Sequence, residues 1–167
     1  MNRNLKDIRP PAVADMFYPA DEKVLKKMIS GYLENVDFPQ IEGKLKAIIV
    51  PHAGYVYSAQ VAAYAYKALE KLDQNIQWKV LLLGPSHHVF LNGAAVTAFK
   101  KWETPFGAVE VRDIRDEIGD NELIVDLPGA DTEEHSLEVQ VPFLQTVLKN
   151  FVIYPLMLGD LNTKVLA

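Results

Sequence analysis

The 167-residue chain contains no cysteine. This absence excludes disulfide bonds, cysteine-containing zinc sites and a thiol nucleophile within these residues. No hydrophobic run reaches the roughly 20 residues that a membrane-spanning helix needs, and residues 1–11 lack the apolar stretch of a secretory signal. We therefore expect a cytoplasmic protein that has no membrane as its partner.

An excess of positive charge is also missing. The chain has 17 Lys and Arg residues against 22 Asp and Glu residues, a net charge of −5. Because nucleic-acid binding needs a clustered positive surface, nucleic acid is not an expected partner. The hydrophobic fraction of 49% and the charged fraction of 23% are typical of a globular domain. A chain of this length suits one domain, which we place over residues 1–167.

Continuous apolar runs predict buried strands, because a strand covered on both faces is apolar throughout. Three such runs are present, interrupted only by Lys46 and Lys79: residues 45–50, 78–83 and 151–158. Helical periodicity predicts one helix after Asp21 and another from Ser58 to Leu72. The first two strands and the second helix form a βαβ unit, in which the strands are parallel. We predict an α/β fold with three layers around a mainly parallel, mixed sheet.

Shorter elements are predicted between the second and third of these strands. Two antiparallel strands are expected at Ala94–Lys100 and Ala108–Val111. The charged residues 113–126 predict a short helix followed by an edge strand at Leu123–Val125. A further helix is expected to open at Thr132–His135, with Pro142 kinking or dividing it.

Two of the predicted strands end at histidines. The first is followed by Pro51 and His52, and the second by Ser86, His87 and His88. Because neighbouring parallel strands end at the same edge of a sheet, His52 and His87 are predicted to converge on a metal or catalytic site. Consecutive side chains point in different directions, so His88 is expected to bind substrate or to contact the metal-binding residues without binding the metal itself.

Other side chains are candidates for the same pocket. We predict His135 as a proton-transferring catalytic residue and Glu138, three residues later, as a substrate-binding or supporting group. The glutamates at 134 and 138 equally suit a helix-capping cluster. Tyr55 is placed to donate its hydroxyl group to a ligand. Ser86 remains a pocket candidate, although its Gly-Pro-Ser-His-His context is not the nucleophile elbow of a serine hydrolase.

The residue pattern leaves the identity of a metal open. Two histidines with an oxygen ligand and open positions are typical of non-haem Fe(II) sites, and catalytic zinc uses the same ligand types. Fe(II) is the expected metal, with copper or zinc as alternatives. The candidate carboxylate ligands are Glu134, Glu138 and Asp160.

Five ordered segments carry a resemblance to a known family. They are residues 11–19 (PAVADMFYP), 51–58 (PHAGYVYS), 83–89 (LGPSHHV), 102–107 (WETPFG), and 134–138 (EHSLE) with 141–145 (VPFLQ). Together they span almost the whole chain, in the order in which they occur in the Memo-like family. The chain therefore resembles the Memo-like family, which is similar in fold to the class III extradiol ring-cleaving dioxygenases.

The resemblance implies a metal role and a partner. It places His52 and His87 at the position of two metal-binding histidines, and His135 in a motif that borders the same pocket. Bacterial and archaeal members often accompany a radical S-adenosylmethionine protein, which implies such a partner. The family is longer than this chain and carries a Ser-Asp-x-x-His-type motif and usually a cysteine in its C-terminal part. We therefore expect the chain to lack the C-terminal part of the fold.

Three functions remain open from the sequence. The first is a metal-binding dioxygenase-like or redox protein with an unknown small-molecule substrate. The second is a non-catalytic module that binds a peptide or small ligand in the same pocket, and the third is a zinc hydrolase. A sheet with an uncovered edge also predicts self-association into a homo-oligomer.

Overall fold

The structure, a computed structural model, describes residues 5–37 and 42–160. Its helices are α1 (Glu22–Glu34), α2 (Tyr55–Leu69), α3 (Arg115–Ile118) and α4 (Val141–Val147). Its strands are β1 (Lys6–Arg9), β2 (Trp78–Pro85), β3 (Ala94–Val96), β4 (Phe99–Thr104), β5 (Gly107–Glu110), β6 (Ile124–Asp126) and β7 (Phe151–Leu158). None of the helices in these ranges is long and apolar enough to cross a membrane.

The strands form two sheets within one α/β domain. The larger sheet has the order β2-β7-β3-β6, in which β2 is parallel to β7, β7 is antiparallel to β3, and β3 is parallel to β6. The smaller sheet has the order β1-β4-β5, in which β4 is antiparallel to β5. The strand predicted at Ala94–Lys100 is divided between β3 in the larger sheet and the start of β4 in the smaller one, and only β4 pairs with the strand predicted at Ala108–Val111. The predicted α/β class with a mixed sheet is confirmed. The N-terminal strand β1 was not predicted from the sequence.

The predicted pairing of residues 45–50 with β2 is wrong. These residues belong to no strand, and β7 is the only strand that pairs with β2 among the described residues. Residues 45–50 and β2 both line a cavity of about 600 Å³. We call this cavity, bounded by residues 45–50 and β2, the β2 groove. Within the described ranges, no backbone hydrogen bonds join residues 45–50 to β2, so the two walls form no ladder.

Helix α2 leads directly from the first histidine segment into the core. Its buried side includes Ala59, Ala62 and Ala63, whose small side chains allow close packing. The ring of Tyr66 stacks on Phe143 of α4 with centroids 4.6 Å apart. The start of α2 is held by Tyr55, whose ring lies 5.2 Å from the same Phe143 ring, and this contact places the residues just before the helix against the 134–147 region.

The helix predicted to open at Thr132–His135 begins later in the structure. A short 3-10 turn spans Glu138–Gln140, and α4 follows with Pro142 in its first turn. Proline is accepted there because the first N–H groups of a helix have no partner within the helix. Residues 132–137 remain a loop, in which Ser136 donates its backbone N–H to the carboxylate of Glu134 at 2.8 Å.

Candidate metal centre

Three histidines from distant parts of the chain meet at one point. His52, His87 and His135 each offer one ring nitrogen, and these nitrogens lie within 4.8 Å of one another. The ring centroids are 5.2 Å apart for His52 and His87, 5.9 Å for His52 and His135, and 4.5 Å for His87 and His135. We call these three residues the histidine cluster. Three converging imidazoles match the donors that zinc, copper and iron accept in proteins.

His52 and His87 are positioned by the segments that come directly before them. His52 follows Pro51, whose carbonyl accepts a hydrogen bond from the side chain of Gln140 at 3.2 Å. His87 follows β2, which is held to β7 by a hydrogen bond from the Ser86 N–H to the Leu158 carbonyl at 2.9 Å. The convergence of His52 and His87 thus exists even though no ladder joins the two segments.

Glu134 is hydrogen-bonded to both the backbone and the ring of His87. Its buried carboxylate accepts the His87 backbone N–H at 2.6 Å and lies 2.9 Å from His87 Nδ1. Because the carboxylate is an acceptor, it assigns the proton of a neutral His87 ring to Nδ1 and leaves Nε2 free to bind a ligand. Burial raises the pKa of Glu134, but hydrogen bonds from His87 and Ser136 outweigh this and lower it to about 2.

His135 is held between two rings. It lies 4.6 Å from the ring of Phe17 and stacks on His87 with an interplanar angle of 20°. Burial lowers the pKa of His135; Glu134 opposes this, and the three other histidines add to it. A lowered pKa favours the neutral imidazole at neutral pH, which is the form that binds a metal.

The remaining candidates lie outside the histidine cluster. His88 is exposed and meets His135 edge-on, with centroids 6.2 Å apart. The Tyr55 hydroxyl donates to the Val139 carbonyl at 2.7 Å, and the Ser86 hydroxyl donates to the Val89 carbonyl at 2.7 Å. Asp160 is exposed. Both hydroxyl groups are therefore engaged with backbone in this structure.

Glu138 belongs to a buried ion pair with Arg9, which we call the Arg9–Glu138 network. Arg9 has no exposed surface, donates to Glu138 and to the carbonyls of Asp131 and Glu134, and lies 4.5 Å from the ring of Trp102. Glu138 also accepts from the N–H groups of Ala12 and Val13 and from the Tyr18 hydroxyl. This network joins β1 to the loop that carries His135.

Comparison with known proteins identifies the family. The sequence profile described as Memo-like protein matches residues 9–167. A MEMO1 family protein of Aquifex aeolicus is 41% identical over 89% of this chain and 54% of its own length, and one of Nitrosopumilus maritimus is 36% identical over 92% and 57%. This chain belongs to the Memo-like family. A protein memo-1 homolog of Caenorhabditis elegans is 36% identical over 92% of this chain and 43% of its own length. The Memo-like chain thus spans about half the length of the curated relatives it matches.

One contributor to the site in this Memo-like chain was missed from sequence, and a second makes a contact that the sequence did not predict. Phe17 was not connected with the histidines, because its contact with His135 joins residues more than a hundred positions apart. Glu134 was predicted either as a functional carboxylate or as a group that satisfies free backbone donors; its carboxylate accepts the backbone N–H groups of His87 and Ser136, and its contact with the His87 ring was not predicted. The one local signal was its position immediately before His135.

Proposed function

We propose that this Memo-like chain binds a redox-active metal ion, iron or copper, at the histidine cluster and takes part in dioxygenase-like or other redox chemistry. The observation that carries the proposal is the convergence of the ring nitrogens of His52, His87 and His135 within 4.8 Å. Isolated histidines are common in folded proteins, but three that meet from separate segments are typical of a metal site.

The donor set fits such an ion. Neutral imidazole is a ligand that iron, copper and zinc all accept. A carboxylate that orients a ligand histidine is the usual support of a metal site, and Glu134 makes this contact with His87. When bound, iron or copper would supply electron exchange and open coordination positions for oxygen or substrate.

The chain's own residues have defined tasks in this proposal. His52 and His87 bind the metal. Glu134 holds the proton on His87 Nδ1 and fixes the direction of the ring. His135 is either the third ligand or, as the sequence suggests, the group that moves a proton at its ring nitrogen. Phe17 packs against the His135 ring, with centroids 4.6 Å apart, and limits the orientation of that ring.

Alanine variants test the proposal. His52→Ala and His87→Ala should each lower metal affinity by at least about 100-fold, because even partners of a ligand contribute about 10–100-fold. Affinity is measured by isothermal titration with Cu²⁺ and Zn²⁺, and with Fe²⁺ under anaerobic conditions. His88→Ala is the matched control, since His88 is exposed at the rim and should retain wild-type affinity. Stoichiometric binding that survives both ligand substitutions would contradict the proposal. His135→Ala distinguishes the two roles of His135. If His135 is a metal ligand, this variant should lose as much metal affinity as His52→Ala; if it only transfers a proton, the affinity should stay close to that of the wild type.

A second function, non-catalytic binding of a peptide or small ligand, is favoured by apolar side chains near the cluster in sequence. Met16, Tyr57 and Phe90 are 76%, 85% and 82% exposed. This function predicts ligand binding that a chelator leaves unchanged, whereas the metal proposal predicts that a chelator abolishes ligand binding.

A zinc hydrolase would instead cleave esters or amides with zinc and not with iron. The radical S-adenosylmethionine partner is also a proposal, tested by co-purification from the native host.

A further inference from the structure

The side chain of Gln140 connects the segments that carry two of the three clustered histidines. Its Nε2 donates to the carbonyl of Pro51, the residue before His52, at 3.2 Å. The same nitrogen donates to the carbonyl of Ser136, the residue after His135, at 3.3 Å. Because an amide nitrogen carries two protons, both of its donors are used. One buried side chain therefore ties the backbone beside His52 to the backbone beside His135.

A third partner fixes the orientation of the Gln140 amide. The hydroxyl of Tyr66, on α2, donates to Gln140 Oε1 at 2.6 Å. The two carbonyls can only accept, so they require the nitrogen on their side, and the oxygen then faces the hydroxyl. Both side chains are buried, and a rotation of the amide would leave buried polar groups without partners. The link between the two histidine segments is therefore rigid.

Ser136 extends this link to the third histidine. Its hydroxyl donates to the carbonyl of Pro85, two residues before His87, at 2.9 Å. Gly84 allows this close approach, because a Cβ at that position would lie 2.9 Å from Ser136 Oγ and would force the serine to shift. We call the side chains of Ser136 and Gln140 the carbonyl bridge, since together they hydrogen-bond to backbone next to all three histidine segments.

The acceptors of the carbonyl bridge distinguish it from ordinary side-chain hydrogen bonds. Pro51, Pro85 and Ser136, whose carbonyls accept these bonds, each lie within two residues of a clustered histidine. Gln145 makes bonds of the same kind elsewhere: its amide donates to the Gly107 carbonyl and accepts from the Thr104 hydroxyl, both at the β4–β5 hairpin. Gln145 therefore provides a matched control for Gln140.

We propose that Gln140 and Ser136 are positioning residues of the histidine cluster, which hold its three imidazoles at their mutual spacing before a metal ion binds. This inference rests on the proposed metal function. Ligands that are already in place lose less conformational entropy when the ion arrives, so affinity rises without any further contact to the ion. Neither side chain touches the metal in this proposal; both act through the backbone beside the ligands.

Metal binding by Gln140→Met tests the proposal. Methionine has a similar length but lacks both the amide donors and the acceptor, so all three hydrogen bonds of Gln140 are lost. The affinity for Cu²⁺, measured by isothermal titration, should fall at least about tenfold. Pulsed electron paramagnetic resonance of the Cu²⁺ form counts the coordinated imidazoles, and this count should also fall. Gln145→Met should keep the wild-type affinity and the wild-type imidazole count.

A second measurement needs no metal. In the metal-free chain, the rings of His52 and His135 have centroids 5.9 Å apart, close enough for a nuclear Overhauser effect between their protons. This effect should weaken in Gln140→Met and persist in Gln145→Met. If the unsubstituted chain binds no metal at His52, the proposed metal function fails, and the ring contact by itself decides whether Gln140 positions these rings.

Ser136→Ala decides the question if Gln140→Met does not fold, which circular dichroism checks. This variant removes only the hydroxyl bonded to Pro85 and should weaken the contact between the rings of His87 and His135, whose centroids are 4.5 Å apart. An unchanged ring contact in Ser136→Ala would then overturn the proposal. Wild-type affinity, imidazole count and ring contact in a folded Gln140→Met variant would overturn it directly. Equal losses in Gln145→Met would do the same, because a general loss of stability would then explain them.

Discussion

At the level of single residues, the carboxylate of Glu134 links the fold to the histidine cluster. It is fully buried and accepts hydrogen bonds from the His87 backbone, the His87 ring and the Ser136 backbone. These donors favour the ionised form, so the pKa of Glu134 falls from 4.5 to about 2 despite its burial. A depressed carboxylate pKa in the folded state means that ionisation and folding support each other.

Lowering the pH should therefore lower the unfolding free energy of the metal-free protein, because Glu134 becomes protonated. The stabilisation is fully present above about pH 4.5, the unfolded value, and is lost as pH falls towards 2. Its size is about 3 kcal/mol, since one pKa unit corresponds to about 1.4 kcal/mol. Glu134→Gln should flatten the fall in unfolding free energy between pH 4.5 and 3, measured by urea denaturation. Glu110→Gln, at an exposed ion pair with Arg112, is the control. An unchanged acid slope in Glu134→Gln would disprove this role.

At the level of secondary-structure elements, apolar runs identify strands but do not identify their neighbours. The runs at 78–83 and 151–158 became β2 and β7, which are parallel. The run at 45–50 is also mostly apolar, yet it lines the β2 groove and belongs to no strand of the described chain, because strand pairing depends on the rest of the sheet. The charged strand β1 was missed, since its anchor is the burial of Arg9 against a residue 129 positions away.

Part of the candidate site was also predictable from the sequence. His52 and His87 were placed together by the rule that parallel strands end at one edge, and the two rings are 5.2 Å apart. The contact between Phe17 and His135 was not predictable, because nothing in local sequence joins a leader segment to a loop so far along the chain. Local patterns thus located the end of β2 and the segment before His52, which is no strand in the described chain, and long-range packing decided what surrounds both histidines.

The Arg9–Glu138 network should be the strongest single link between these elements. Glu138→Ala would leave the Arg9 charge buried without its partner and remove the acceptor of two N–H groups and the Tyr18 hydroxyl. We expect a loss of about 3–5 kcal/mol in unfolding free energy, measured by urea denaturation. The exposed pair of Glu110 and Arg112 provides the comparison, and Glu110→Ala should cost less than about 1 kcal/mol. A similar loss of unfolding free energy in both variants would show that the buried network stabilises the fold no more than an exposed ion pair does.

At the level of the whole molecule, the histidine cluster joins three segments that are far apart in sequence. His52 precedes α2, His87 follows β2, and His135 lies in the loop before the 3-10 turn. An unfolded chain does not hold these three rings together, so a bound metal favours the folded state. If the proposed site is correct, metal binding and global stability must change together.

Metal ions should therefore raise the melting temperature of the chain. At a free metal concentration of 100 times Kd, the gain is about 2.7 kcal/mol, and for a chain of this size this corresponds to about 5–10 °C. Melting is followed by circular dichroism with Zn²⁺ or Cu²⁺ and again after chelation, which should reverse the shift. His88→Ala should keep the full shift, because its ring lies outside the cluster, and His52→Ala should lose it. An equal shift in His52→Ala would place the stabilising metal elsewhere on the molecule and contradict the assignment of His52 as a ligand.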